Sequence, residues 1–229
     1  RMDMSQIDMD YIIERATDSI DLAKKASQII ASQIDLVLDE RDRAQIALSG
    51  GTTPSDTYKL LGQEHLPWDR VDLFLGDERW VDIKDQSSNA GMIKRTLLAS
   101  KPGSDCKFHP VPTVQLLDPQ ISADTFMKLL TTICIGEPPI LDLILLGLGD
   151  DGHTASLFPY SESLNVKDQW VTVANAKGHD RITLTAPVLC AARKVVFLVS
   201  GASKQTALKR LLDPNESISR TPARLVQSN

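Results

Sequence analysis

The sequence predicts a single α/β domain over residues 1–229, with a doubly wound, mostly parallel, Rossmann-like sheet and helices on both of its faces. Three observations lead to this prediction. Short apolar runs rich in Val, Ile, Leu and Phe recur along the chain, as is typical of strands that are buried on both faces. Longer segments with helical periodicity separate these runs. The length of 229 residues suits one sizeable core better than two.

The predicted elements alternate along the chain, as such a sheet requires. The predicted strands are IALSG (46–50), VDLFLG (71–76), LDLILLG (141–147), ITLT (182–185) and KVVFLVSG (194–201). The predicted helices cover 18–38, 54–61, 89–98, 121–133 and 203–212. In an open sheet of this kind, ligands bind outside the carboxyl ends of the strands. Polar residues that follow the strands are therefore the first candidates for a functional site.

Composition and charge exclude several kinds of partner. The chain is 42% hydrophobic and 24% charged, which is typical of soluble globular proteins. Its apolar runs are far shorter than the roughly 20 residues that cross a bilayer, so no membrane span is expected. The net charge is -5, and the absence of a basic block predicts no nucleic-acid binding.

The cysteines and the first ten residues predict a cytoplasmic location. Cys106, Cys134 and Cys190 are widely spaced and form no CxxC pair, which favours reduced thiols over disulfides or a zinc site. Residues 1–10 lack the basic-then-apolar order of a secretory signal. No HExxH motif or other metal-ligand spacing occurs, so no metal is expected.

The segment LSGGTTP (48–54) places two glycines, two threonines and a proline directly after the first predicted strand. Pro54 stands where the first turn of a helix accepts proline. Such a turn directs backbone N–H groups and hydroxyls to one point, which suits a phosphate, although the lysine of a P-loop is absent. An ordinary glycine turn with Thr as the helix cap is the alternative. The residues expected to bind the anion are Gly50, Gly51, Thr52 and Thr53.

The segment GDERW (76–80) follows the second predicted strand. Asp77, Glu78 and Arg79 can supply a carboxylate and a fixed guanidinium to one pocket. The alternative is a surface ion pair. The position at the carboxyl end of a strand favours the pocket.

The segment LDLILLGLGDDGHTASLFP (141–159) contains glycines at the spacing G-x-G-x-x-G. A dinucleotide site requires a full helix after the last glycine and an acidic residue about 20 positions later. Pro159 interrupts the segment after barely two turns, and residues 170–174 contain no acidic residue. Asp150 and Asp151 would also repel a pyrophosphate. We therefore expect no dinucleotide and no other cofactor.

His153 follows the last of these glycines and is predicted to begin a short helix at the carboxyl end of a strand. Its imidazole can accept a proton near neutral pH, and a nearby carboxylate such as Asp151 can orient it. A lone histidine is more often structural, but this placement favours a catalytic base. The other three, His65, His109 and His179, lie in loop-like sequence and are expected to be structural.

Two basic residues complete the candidate site. Arg181 opens RITLT, and Lys204 lies in SGASKQTAL. Each is placed at the edge of a predicted strand or at a helix start, where it can bind a phosphate, and a solvated surface charge is the alternative. No GxSxG motif is present. A hydrolase that uses His153 as base, without a metal or a covalent intermediate, stays open.

Taken in order, LSGGTTP, GDERW, LGLGDDGHTASLFP, RITLT and SGASK resemble the motifs of the 6-phosphogluconolactonases, in the glucosamine/galactosamine-6-phosphate isomerase superfamily. The similarity runs from about residue 44 to residue 212. It implies a fold of the sugar-phosphate isomerase type and cofactor-free hydrolysis of 6-phosphoglucono-δ-lactone to 6-phosphogluconate, in the oxidative pentose phosphate pathway. One departure is SSNAGM (87–92), where members commonly have D-S-N-Y-R-M.

The resemblance also implies a role for each site residue. His153 would activate water for attack on the lactone carbonyl, Arg79 would hold the substrate or the developing oxyanion, and Asp77 would shape that pocket. The expected partner is a small phosphosugar lactone, and the protein is expected to be a monomer. The implied substrate-binding residues are Gly50, Gly51, Thr52, Thr53, Asn89, Asp151, Arg181 and Lys204.

Two alternatives differ in identifiable motifs. Glucosamine-6-phosphate deaminases share the fold and a histidine after a glycine turn, but their motifs resemble GHIAFNEP and MDEY rather than GHTASLFP and GDERW. A non-catalytic sugar-phosphate sensor of the transcription-regulator type would have a DNA-binding helix-turn-helix. The residues before LSGGTTP predict one acidic amphipathic helix instead.

Overall fold

A parallel sheet of five strands and an antiparallel sheet of three organise the structure, a computed structural model that describes residues 11–227. The predicted α/β class with a mostly parallel sheet is confirmed. Residues 1–10, on which the argument about a secretory signal rests, lie outside the described residues. In chain order the strands are β1 (Ala44–Leu48), β2 (Val71–Leu75), β3 (Asp77–Arg79), β4 (Lys107–Phe108), β5 (Leu143–Leu146), β6 (Val171–Ala176), β7 (His179–Leu184) and β8 (Val195–Phe197). The α-helices are α1 (Ser19–Glu40), α2 (Thr53–Leu61), α3 (Asn89–Arg95), α4 (Pro119–Ile133), α5 (Ala186–Ala191) and α6 (Gln205–Leu212).

The larger sheet has the strand order β4-β2-β1-β5-β8, and all neighbouring strands in it are parallel. Every residue of β1, β2 and β5 is buried, which explains why these strands are apolar almost throughout. Strand β1 lies between β2 and β5. After β1 the chain forms β2 and β4 on one side of it, and it later forms β5 and β8 on the other side. Such a switch point leaves a crevice outside the carboxyl ends of the strands.

The predicted strand at 182–185 belongs to the smaller sheet, and its assignment to the parallel sheet is wrong. It forms the end of β7, which pairs antiparallel with both β3 and β6. Residues 181–184 are all buried, and α4 packs against β6 and β7. A short apolar run indicates that a strand is buried but not whether its neighbours are parallel or antiparallel. The pattern therefore could not predict the pairing of this strand. Strands β3, β4 and β6 and helix α5 were not predicted.

The predicted helices are present, with ends that differ by a few residues. Asp18 caps α1, because its side chain accepts a hydrogen bond from the backbone N–H of Asp21 at 2.8 Å. Pro54 lies in the first turn of α2, as predicted. Thr52 precedes that helix, but its side chain makes no capping hydrogen bond, so the alternative of a Thr cap is wrong.

Within residues 11–227 no helix combines the length and the apolar character needed to cross a bilayer. Cys106, Cys134 and Cys190 are free thiols. Burial raises the pKa of both the Cys106 and the Cys134 thiols to about 12. These two side chains are therefore protonated and act as small apolar groups in the core.

A buried ionic network joins the strands near their amino ends, away from the crevice. Asp72 in β2 is only 3% exposed and accepts two hydrogen bonds from Arg43, each at 3.0 Å. The side-chain amide of Gln45 donates to it at 3.0 Å, and His109 Nε2 lies 3.0 Å from its Oδ1. Burial raises the pKa of Asp72, but these partners outweigh burial and hold the pKa well below its usual range. His109 thus has a structural contact, as its prediction stated.

Asp72→Asn should lower the free energy of unfolding near neutral pH by about 3 kcal/mol, because a buried ion pair loses its anionic partner. The folded-state pKa of Asp72 is depressed. Its stabilisation is therefore complete above the unfolded pKa of about 3.9 and is lost as the pH falls. Urea unfolding near pH 7 and near pH 3 should show the gap between parent and variant shrinking at the lower pH.

The exposed Asp39 offers a matched control for this experiment. Asp39→Asn removes the same charge from the surface, so we expect little change in the free energy of unfolding at either pH. A gap between the parent and Asp72→Asn that stays constant on acidification would contradict the ionic role of Asp72.

Candidate active site

A cavity of about 300 Å³ opens at the carboxyl ends of the parallel strands. Its wall is formed by residues that follow β1, β2, β5 and β8, together with residues of β3, β7 and the segment around residue 153. The cavity thus lies at the switch point where β1 separates β2 from β5. The residues predicted for the site line this cavity, with the exceptions of Asp151 and Glu78.

The turn after β1 approaches its neighbours so closely that only glycine fits at position 50. A Cβ atom on Gly50 would lie 2.0 Å from Oδ1 of Asn89. Gly51 has a φ of 99°, which side chains disfavour. Tyr58 of α2 fixes the turn, because its hydroxyl accepts from the Ser49 N–H at 3.0 Å and donates to the Ser49 carbonyl at 2.6 Å. The turn is held rigidly at the cavity wall.

Strand β3 places Asp77 and Arg79 in the wall. Asp77 Oδ2 accepts a hydrogen bond from the Ser156 hydroxyl at 2.6 Å, and Asn89 Nδ2 donates to the Asp77 carbonyl at 3.0 Å. Arg79 Nη1 donates to the Ser87 carbonyl at 2.8 Å. Arg79 Nε is buried and has no hydrogen-bond partner within residues 11–227. A buried unpaired donor is costly, and the rest of the Arg79 side chain lines the cavity.

Glu78 lies between these two residues in β3 but does not line the cavity. Side chains alternate along a strand, which separates Glu78 from Asp77 and Arg79. Its carboxylate accepts hydrogen bonds from the backbone N–H groups of Arg79 at 2.9 Å, Asn89 at 2.7 Å and Ala90 at 2.8 Å. Burial raises the pKa of Glu78 to about 7, while these donors act in the opposite direction. Glu78 therefore anchors the start of α3 and, with it, Asn89.

The pairing of β3 with β7 sets two arginines side by side. Arg79 is directly opposite Arg181 in the antiparallel register. Arg181 is only 5% exposed, and burial, followed by the charge of Arg79, lowers the pKa of its guanidinium. This guanidinium lies 5.1 Å from the centroid of the Phe158 ring. Like charges directly opposite each other are destabilising, so an anion in the cavity would relieve their repulsion.

The short helix predicted to begin at His153 is absent. The segment consists of turns, with an isolated bridge between Thr154 and Leu157. The backbone φ is 88° at Gly152 and 48° at Ala155, and a right-handed helix cannot contain such residues. A glycine at position 152 is compatible with positive φ and could have suggested this turn. The alanine at position 155 gives no such indication.

Two of the glycines before His153, Gly149 and Gly152, have structural reasons that require no nucleotide. A Cβ atom on Gly149 would lie 2.0 Å from Nδ1 of His153 and 2.7 Å from Oδ1 of Asp151. Gly152 occupies the left-handed region described above. A Cβ atom on Gly147 would have nothing within 4 Å. The spacing therefore provides room for an imidazole and a sharp turn.

His153 is held on two sides at the cavity wall. Its Nδ1 lies 2.6 Å from Asp151 Oδ1, and its backbone N–H donates to the same oxygen at 3.0 Å. Its ring stacks on Phe158, with centroids 4.4 Å apart and planes at 29°. Burial lowers the pKa of His153, although Asp151 acts to raise it. Because the carboxylate of Asp151 accepts from Nδ1–H, the neutral ring has its lone pair on Nε2, as a general base requires.

Lys204 reaches the cavity from the turn before α6. Its Nζ lies 2.7 Å from Oδ1 of Asp150, an exposed carboxylate. The neighbouring Asp151 does not line the cavity, but it contacts His153, which does. Three cations from separate segments, Arg79, Arg181 and Lys204, thus share the cavity with one carboxylate, that of Asp77.

Two serines in the wall were missed by the sequence prediction. Ser49 and Ser200 both line the cavity. Each lies at the carboxyl end of a predicted strand, and that position was the signal that could have identified them. The three histidines predicted to be structural do not line the cavity. Within residues 11–227 no group of three or more His, Cys, Asp or Glu side chains is arranged to hold a metal ion.

Comparisons with known proteins agree on one family. Residues 17–229 match the family model described as glucosamine-6-phosphate isomerases/6-phosphogluconolactonase. The chain is 42% identical over 209 residues to a 6-phosphogluconolactonase of Synechocystis sp., covering 90% of this chain and 87% of the relative. It is 38% identical over 222 residues to that of Nostoc sp., covering 96% and 92%. A crystal structure of a 6-phosphogluconolactonase from Shewanella baltica matches with a TM-score of 0.84 and 26% identity, over 96% of both chains. The Trypanosoma brucei 6-phosphogluconolactonase structure matches with a TM-score of 0.82 and 27% identity, over 94% and 92%.

Gly149→Ala should displace the His153 ring, because the added methyl would overlap Nδ1. Such overpacking typically destabilises by about 1–3 kcal/mol. We expect a lower melting temperature and a shifted ring-proton resonance of His153 in NMR spectra. Gly147→Ala is the matched control, since its methyl would meet nothing within 4 Å. Equal effects of the two substitutions on the resonance would show that the glycine at 149 is not needed for the ring.

Proposed function

Because the chain belongs to the family of glucosamine-6-phosphate isomerases and 6-phosphogluconolactonases, we propose that it hydrolyses 6-phosphogluconolactone to 6-phosphogluconate. One observation supports this proposal above the others. A histidine that is oriented by a carboxylate lines the same cavity as Arg79, Arg181 and Lys204. Such a site joins a base for activating water with positive charge for a phosphate and an oxyanion. The proposed reaction requires no cofactor.

His153 is the proposed general base. Its neutral ring takes a proton from water through Nε2 while the water oxygen attacks the lactone carbonyl carbon. Asp151 stabilises the imidazolium that forms and keeps the ring in place, as in other carboxylate–histidine pairs. The tetrahedral intermediate then expels the ring oxygen. The imidazolium returns its proton to that oxygen, which leaves an open-chain carboxylic acid and the starting form of His153.

Arg79 is the proposed partner of the developing oxyanion. Its side chain lines the cavity, and its Nη1 is fixed by a hydrogen bond to the Ser87 carbonyl. A donor that is held in place before the reaction stabilises charge without having to reorganise. Asp77, which is fixed by Ser156, and Asn89, which is fixed by Glu78, complete this side of the cavity. They are proposed to position the sugar hydroxyls.

The phosphate is proposed to bind between the turn after β1 and the cations. Gly50, Gly51, Thr52 and Thr53 line this part of the cavity and offer backbone N–H groups and hydroxyls. Lys204 and Arg181 supply the charge. A cytoplasmic location and a monomeric state stay predictions from the sequence.

The isomerase branch of the family is the alternative activity. The named relatives reported above are lactonases. Release of ammonia from glucosamine 6-phosphate in a coupled assay would contradict the proposed function. Binding of a phosphosugar with no turnover of the lactone would support the sensor alternative instead.

His153→Ala should lower kcat by roughly 10²- to 10⁴-fold while phosphosugar binding persists, because the variant loses the base but keeps the cations. The measurement is turnover of freshly generated 6-phosphogluconolactone, corrected for spontaneous ring opening. In the parent, the neutral imidazole is the active form and burial lowers its pKa. The value of kcat/KM should therefore fall on acidification with an apparent pKa below about 6.5.

His179 supplies the control for this substitution. It begins β7 and does not line the cavity, so His179→Ala should retain kcat. The role assigned to His153 is wrong if His153→Ala hydrolyses the lactone at the parent's rate.

Lys204→Ala should raise KM for the phosphorylated lactone by about 10-fold or more with a smaller effect on kcat, since a charge-assisted contact is worth about 1.5–3 kcal/mol. Turnover of unphosphorylated gluconolactone should hardly change, because it has no phosphate for Lys204 to bind. Lys209→Ala, an exposed lysine on α6, is the control. An equal loss for both lactones would exclude a phosphate-specific role.

A further inference from the structure

The tip of the β6–β7 hairpin has an unexpected residue in its turn. Ala176 pairs with His179, so Lys177 and Gly178 form a two-residue loop. Their φ angles are 50° and 79°, which are the left-handed values of a type I′ turn. The first position of such a turn strongly favours Asn, Asp or Gly, because a longer side chain is disfavoured at positive φ. A lysine occupies this position against the local preference of the backbone.

The lysine at this tip contacts both groups that hold the base. Its Nζ lies 3.5 Å from Asp151 Oδ2, while the other oxygen of that carboxylate lies 2.6 Å from His153 Nδ1. The same Nζ is 5.7 Å from the centroid of Phe158, on which the His153 ring stacks. Lys177 itself does not line the cavity, and its side chain is 56% exposed. An exposed pair of this kind adds little stability, so its location beside the base is the more informative feature.

We propose that Lys177 is a positioning residue for the base, which shares Asp151 with His153 and thereby keeps the imidazole in its unprotonated, reactive form. This inference rests on the proposed function, in which His153 activates water. Asp151 alone would hold the ring in place but would also stabilise the imidazolium. The ammonium group of Lys177 balances part of that charge without removing the contact that orients the ring.

The charges that face His153 give the direction of the effect. Asp151 on its own segment and Asp77 on β3 raise the pKa of His153, while Lys177 on the hairpin lowers it. Burial lowers it further and is the largest influence. Removing the charge of Lys177 should therefore raise the pKa of His153. A larger fraction of the base is then protonated at mildly acidic pH.

Lys177→Asn separates this role from a structural one. Asparagine suits the type I′ turn better than lysine, so the melting temperature should be unchanged or higher. The pKa of His153, followed by NMR titration of its ring protons and assigned with His153→Gln, should rise by about half a pH unit. The apparent pKa with which kcat/KM falls on acidification should rise by the same amount. Added salt should reduce the shift, because the lysine is exposed.

Two further variants make the test specific. Lys177→Arg keeps the charge and should keep the parent's titration curve. Lys209→Asn removes an exposed charge from α6, outside the site, and should also leave the curve unchanged. An unchanged His153 titration in Lys177→Asn would overturn the inference. So would a raised KM with an unaltered titration, because Lys177 would then be a substrate contact.

The inference and the proposed function can fail separately. Absence of lactonase activity in the parent protein would contradict the proposed function, and the NMR titration would still decide whether Lys177 controls the protonation of His153. Conversely, an active parent whose apparent pKa for kcat/KM does not respond to Lys177→Asn would leave the lactonase proposal intact and refute the role of the lysine.

Discussion

The position of β1 between β2 and β5 is the constraint on which the site depends. Parallel pairing on both sides of one strand sends the connecting segments in opposite directions, and the loops then leave a crevice between them. The glycine turn after β1, the glycines after β5 and the segment after β8 all meet there. These segments are distant in the chain and share only the fact that each follows a parallel strand. The fold brings together chemistry that no local segment contains.

The antiparallel sheet adds what the parallel sheet lacks, which is concentrated positive charge. Its register sets Arg79 opposite Arg181, and its hairpin brings Lys177 to the carboxylate that contacts His153. Both arrangements run against local preference, through repulsion in one case and through a lysine at positive φ in the other. Such conflicts tend to persist where function requires them, because natural sequences are otherwise locally consistent.

The sequence was sufficient to predict the α/β class, the core strands of the parallel sheet and most of the cavity wall. Buried parallel strands are apolar almost throughout, and the rule that ligands bind at their carboxyl ends then selects the polar residues that follow. What failed depends on long-range partners. Nothing in ITLT shows that it pairs antiparallel, and the three residues of β3 are too few for a pattern, so Glu78 could not be separated from its neighbours. For a similar reason the sequence could not show that no helix begins at His153. The left-handed φ of Ala155, which prevents that helix, is imposed by its surroundings.

The two opposed arginines also couple the stability of the fold to its ligands. In the anion-free protein, the strand pairing of β3 with β7 must hold two guanidinium groups together, one of them almost fully buried. A phosphosugar whose phosphate meets Arg181 and whose carbonyl oxygen meets Arg79, as proposed above, would offset that repulsion and would bind only the folded chain. By mass action, the melting temperature then rises with phosphosugar concentration. Metabolites at this site would act as folding stabilisers as well as reactants, and the protein would be most vulnerable to proteolysis when its pathway is starved of them.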